Sequence, residues 1–113
     1  MWGKTMVRLT KDEKSQLAYE LEHRLYFLYI DWPDNPVPAH HWMTRDGEVV
    51  AMESMSLDHL KASATLAQNA LDGFVHDRRS GGGGASTVIE ALRPIAKRKI
   101  AELREILLEK ANA

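Results

Sequence analysis

Trp42-Met43-Thr44-Arg45-Asp46-Gly47-Glu48-Val49-Val50, followed shortly by Met55-Ser56-Leu57-Asp58-His59-Leu60, is the stretch whose reading decides the fold. An Asp-Gly pair between apolar flanks is a strong local signal for a β-hairpin, because the tight turn needs positive φ and glycine adopts it without steric cost. A two-residue Asp46-Gly47 loop sets Arg45 opposite Glu48, Thr44 opposite Val49, Met43 opposite Val50 and Trp42 opposite Ala51. Met43, Val50 and Met52 then share one apolar face. Two strands alone are marginal in water, so this face must lie against helices. Ser56 reads as the N-cap of the helix after the hairpin. Asp58 complements the helix dipole in its first turn, and Met55 is placed to staple onto Leu60.

Upstream, Thr10-Lys11-Asp12-Glu13 has the capping-box pattern, and Leu17, Leu21, Leu25 and Leu28 recur at helical spacing. This predicts a helix over 10–31, with a hairpin over 40–53. The segment Leu25-Tyr26-Phe27-Leu28-Tyr29-Ile30 is apolar on every side and rich in strand formers, so a strand is the alternative there. Trp32 to Pro38 contains three prolines and reads as an extended, turn-rich connection. Leu57, Leu60, Ala64, Ala67, Leu71 and Phe74 form one narrow stripe and predict a helix over 57–76. A Gly-rich linker is expected over 77–86. A last helix is expected over 87–111, starting at a second capping-box pattern, Thr87-Val88-Ile89-Glu90, and carrying Leu92, Ala96, Ile100, Leu103 and Leu107. Pro94 should kink this helix or shift its start. The whole is a single α+β domain, mostly α: an N-terminal helix, one β-hairpin and two long antiparallel helices.

Composition narrows the function. The chain has 113 residues, a net charge of -1 and no cysteine. One domain fits that length. The charge gives no bulk reason to expect nucleic acid, and disulfides, thiol catalysis and thiolate metal sites are excluded. The longest apolar run, Leu25 to Ile30, falls far short of a membrane span, and no signal-peptide core opens the chain, so a cytoplasmic protein is expected.

The spacing W-x-T-x-D-G, carried by Trp42 to Gly47, and M-x-x-x-H-L, carried by Met55 to Leu60, resembles a block in small, mostly uncharacterised proteins of tailed phages and prophages. The resemblance covers under a fifth of the chain. The block usually continues H-L-x-N, whereas this chain has His59-Leu60-Lys61-Ala62. Some proteins of this phage neighbourhood resemble counter-defence proteins, including sponges for the nucleotide signals of Thoeris-type immunity. The resemblance thus implies an accessory protein that acts on a host (defence) protein complex or a small nucleotide, in the cytoplasm of an infected or lysogenic bacterium.

Residue type supplies the candidate sites. Glycine-rich backbone ahead of a helix can turn N–H groups toward a phosphate, and Arg78, Arg79, Ser86 and Thr87 would add charge and hydroxyls, although the segment lacks the Lys-Ser/Thr ending of a P-loop. Between Asp77 and Arg104, seven Lys or Arg stand against three acids. Arg93, Lys97 and Arg104 fall on one helical face and could meet a partner. Tyr26, Tyr29 and Trp32 are candidate contacts in a homo-oligomer, since the Leu25–Ile30 segment exceeds what one small core covers. No catalytic residue, metal site or cofactor is assigned. His40 and His41 are adjacent and form no helical ligand pair, so a metal-assisted enzyme using them with His59 ranks below a binding protein, and a helical oligomerisation module is a further alternative.

Overall fold

The computed structural model describes the backbone of residues 9–81 and 85–113 and the side chains of 9–78 and 87–113. In chain order the elements are α1 (Lys11–His23), β1 (Tyr29–Asp31), β2 (Asn35–Pro36), β3 (His41–Met43), β4 (Val49–Ala51), a 3₁₀ turn (Met52–Ser54), α2 (Leu57–Gly81) and α3 (Ala85–Ala111). It is a mostly helical α+β chain with a two-stranded antiparallel hairpin laid against helices.

The Thr10 capping box forms in full. The Thr10 hydroxyl accepts from the Glu13 N–H, and the Glu13 carboxylate accepts from the Thr10 N–H. The end of α1 differs from the expected 31. The helix stops at His23, and the Leu25 N–H closes onto the Glu20 carbonyl at 2.7 Å. The reason lies in the all-round apolarity of the Leu25–Ile30 segment. A continued helix would present part of that surface to water, whereas leaving the helix buries Leu25, Phe27, Leu28 and Tyr29 together and lets Phe27 stack on Trp42 at 4.8 Å. The strand alternative takes the tail of this run: β1 pairs with β2 across a turn that contains the cis Trp32–Pro33 peptide.

The main hairpin forms, one residue out of the expected register. His41 faces Ala51, Trp42 faces Val50 and Met43 faces Val49. The loop has three residues rather than two. The Gly47 N–H donates to the Thr44 carbonyl at 2.9 Å, the Thr44 N–H donates to the Glu48 carbonyl at 2.8 Å, and Gly47 sits at φ 88°. This is a turn closed by a left-handed glycine, and it draws Arg45 into the loop. Because side chains alternate, the one-residue slip pairs Trp42 rather than Met43 with Val50 on the core side.

Ser56 caps α2 as expected, its hydroxyl accepting from the His59 N–H at 3.1 Å, and Met55 and Leu60 are both buried. Leu60, Ala64, Ala67, Leu71 and Phe74 of α2 and Val88, Leu92, Ala96, Ile100 and Leu103 of α3 form the shared core, to which α1 adds Leu17. The expected linker is largely helical. Residues 77–81 extend α2, α3 begins at Ala85, and Gly82, Gly83 and Gly84 lie outside the described residues. The Thr87 capping box therefore falls inside the helix. Pro94 is also interior, and burial of Leu92, Ala96 and Ile100 on both sides of it keeps the helix going past the lost hydrogen bond. No helix among the described residues is long and apolar enough to cross a membrane.

Candidate functional site

Two buried charges set which surfaces are left for binding. Glu20 of α1 is 0% exposed. Its carboxylate accepts from Arg24 Nε and Nη2, each at 3.0 Å, and from Arg78 Nε at 3.1 Å and Nη2 at 2.7 Å. Arg78 Nη1 donates to Gln16, and Arg24 Nη1 donates to Asp77 at 2.7 Å. The hydrogen bonds that Arg24 donates to Glu20 hold its pKa above the ordinary value, and the bond from Arg24 holds Asp77 below its own. This network joins α1 to the far end of α2. The second charge is Lys99 of α3, whose ammonium makes three bonds, to the Pro38 carbonyl at 2.9 Å, the His41 carbonyl at 3.0 Å and Glu102 at 2.9 Å. Glu102 also accepts the N–H of His40, which sits at φ 59°. The start of the hairpin is thereby fixed to α3.

Of the residues expected at the anion site, Arg78 is taken up internally. It is committed to Glu20 and Gln16. Thr87 is exposed near the Glu13 carboxylate, which is held below its usual range mainly by the Thr10 N–H, with smaller help from the hydroxyls of Thr10 and Thr87. The side chains of Arg79 and Ser86 lie outside the described residues. Among the oligomer candidates, Tyr29 is buried in the core, where burial raises its pKa, and so offers no contact surface. Trp32 packs partly on that core with its Nε1 buried and unbonded among the described residues. Tyr26 lies under the Arg45 guanidinium, 4.5 Å from the ring centroid. The expected Arg45–Glu48 pair is replaced by this contact, because the three-residue loop moves Arg45 out of cross-strand register.

Lys97 lines one hollow with Arg104 and the next with Arg93. The three rim an open groove that runs between α2 and α3, with Gln68, Asp72 and His76 on the opposite side and Leu71 and Ile100 in its floor. Its widest part measures about 600 Å³, has a mainly apolar lining and ends at Leu108, which is 63% exposed. Arg104 donates to Gln68 at 3.0 Å and Arg93 to Glu90 at 3.0 Å, while Lys97 makes no hydrogen bond or ion pair to a described residue. Lys61 and Thr65 continue the lining toward the start of α2.

His40, His41 and His59 do not converge. The His40 ring bonds Glu105 and His41 Nδ1 donates to the Ala39 carbonyl, and among the described residues no three His, Cys, Asp or Glu side chains are grouped to hold a metal ion. Sequence reasoning passed over Glu20 and Lys99, although both sit on apolar stripes with an opposite charge three or four residues on. Comparison with protein-family models, curated proteins and solved structures returned no match.

Proposed function

We propose that this chain is a small phage-type accessory protein that acts by binding, and that the α2–α3 groove docks an acidic amphipathic helix of a host protein complex, which it inhibits or adapts. The observation that carries the reading is the groove itself, an apolar-lined channel with four cations (Lys61, Arg93, Lys97, Arg104) and two carboxylates (Asp72, Glu105) on its walls, in a chain whose net charge is -1. Arg93 to Leu108 spans about 22 Å of helix, enough to seat about four turns of a partner, and two antiparallel helices present a natural trough for a third. Exposed Leu108 supplies an apolar anchor, and the cationic rim selects acidic flanks and speeds encounter.

The test is capture from a bacterial lysate with the wild-type chain and with Leu108→Asp and Lys97→Glu/Arg104→Glu variants, with mass spectrometry of the retained proteins. A protein retained by the wild type and lost from both variants supports the reading. Equal retention by all three removes the groove from the function. Light scattering on the same samples tests the associated proposal that the chain forms a homo-oligomer.

A further inference from the structure

The opposite face of α2 carries a second concavity, with different chemistry. Leu66, Ala70 and Asp77 of α2 form one wall, Tyr19, His23 and Arg24 another, and Tyr26 and Arg45 close it, around a volume of about 440 Å³. Leu66, Ala70 and Asp77 lie roughly half a helical turn around α2 from Gln68, Asp72 and His76, so this cleft and the groove are separate surfaces.

Three features give the cleft its character. Tyr19 stacks on His23 with centroids 4.2 Å apart and stays 54% exposed, so that π surface remains open to a further ring. His23 Nδ1 is held by the Tyr19 carbonyl at 2.8 Å, which fixes the imidazole in place. Arg45 lies over the Tyr26 ring and makes no hydrogen bond or ion pair to a described residue, so its planar fork of donors is positioned and uncommitted. The one carboxylate in the lining, Asp77, is paired with Arg24 at 2.7 Å. Arg45 is thus the unopposed charge.

The geometry points to a binding site for a planar aromatic anion of mononucleotide size, its ring against the Tyr19–His23 stack and its anionic group on the Arg45 guanidinium. A guanidinium seated on an aromatic face reaches a phosphate with two parallel N–H bonds, and stacking on tyrosine tolerates different ring systems. The volume falls within the range of small-ligand sites. Exposed acids within three residues of His23 or Arg45 in the sequence, Glu22, Asp46 and Glu48, disfavour a continuous polyanion, so a single nucleotide unit fits better than a strand.

The experiment is NMR titration of the ¹⁵N-labelled full chain with adenosine 5′-monophosphate, with indole-3-acetate as an aromatic carboxylate and adenosine as the uncharged control. Saturable shifts clustered at Tyr19, His23, Tyr26 and Arg45 are expected with one or both anions. Adenosine should bind about tenfold more weakly than its monophosphate, and Arg45→Ala should bring the monophosphate down to that level. Arg45 is exposed, and an unchanged spectrum elsewhere will show that the variant is folded. Response to the monophosphate alone assigns the anionic group as a phosphate, and response to both anions assigns it as any aromatic anion. Absence of saturable shifts with either anion, equal affinity for adenosine and its monophosphate, or full binding by Arg45→Ala would overturn the assignment.

Discussion

Replacing Arg78 by alanine separates the two roles that this residue could have. At the edge of an anion site it would be an exposed cation, whose loss leaves stability almost unchanged. In the structure it is a partner of a fully buried carboxylate, and its removal takes two bonds from Glu20 Oε2 and one from Gln16. Breaking a buried pair from one side costs about 3–5 kcal/mol, because the remaining charge is left without compensation. Here the cost falls to the bottom of that range or just below it. Arg24 keeps both its bonds to Glu20, and the Arg78 side chain is 22% exposed, so water can follow it into the space. The expected loss is about 2–3 kcal/mol. At about 2.1 cal/mol/K of unfolding entropy per residue, this lowers Tm by roughly 8–12 °C. Thermal unfolding followed by circular dichroism at 222 nm reads the effect, with Arg93→Ala as the control for an exposed ion pair. Glu20→Leu, which removes the buried charge, should recover much of the loss when combined with Arg78→Ala. An Arg78→Ala midpoint within about 2 °C of the wild type, on the same entropy scale, would refute the reasoning and return Arg78 to the surface.

Gly47→Val should destabilise by about 1–2 kcal/mol in urea titration, and since a Cβ there meets nothing within 4 Å, the cost lies in the backbone at φ 88° and Gly47→Asn should recover part of it. Phe74→Ala, at a fully buried position between α2 and α3, should cost about 3–5 kcal/mol in the same assay. Glu13 and Asp77 have folded pKa values below their ordinary 4.5 and 3.8, so their stabilisation is complete above those values and is lost as pH falls through the folded ones. A pH series of thermal midpoints should accordingly show a shallower acid limb for Glu13→Gln/Asp77→Asn than for the wild type.

The parts of the fold legible in the sequence are those specified by local chemistry. Thr10 and Ser56 cap because a side-chain oxygen can reach the next turn, and the α2 stripe is buried from Leu60 to Phe74 because its spacing allows only one helical face, while Leu57 at its start stays exposed. The features that escape such a reading depend on tertiary competition. The hairpin register turns on whether Arg45 belongs to a strand or to the loop, a difference of one residue that the Asp46-Gly47 signal does not resolve. The second capping-box pattern is present at Thr87, but α3 starts earlier, at Ala85, so the threonine lies inside the helix. Glu20 and Lys99 look like surface charges by residue type. Their positions say otherwise: Glu20 follows Leu17 by three, and Lys99 lies three after Ala96 and four before Leu103, on the buried stripes. Arg24 and Glu102 then stand four and three residues further on, at the spacing that lets opposite charges meet on a helix.

The same two networks decide where an anionic partner can bind. Arg24, Arg78 and Lys99 are cations by formula, but each is fully engaged with carboxylates or carbonyls that tie α1 and the hairpin to the long helices. Their charge is neutralised within the fold, and exposing it to a ligand would require undoing buried bonds. Lys97, in contrast, has no ionic partner among the described residues, and Arg104 is held only by the neutral Gln68. Both lie on the groove side of the helix pair, and Arg45 lies across α2 from them. Among the described residues, Lys97 and Arg104 thus leave positive charge at the middle of the helical hairpin, and Arg45 leaves it at the tip of the β-hairpin. The Gly-rich connection between α2 and α3 is preceded instead by Arg78, a side chain that Glu20 of α1 has already drawn inward.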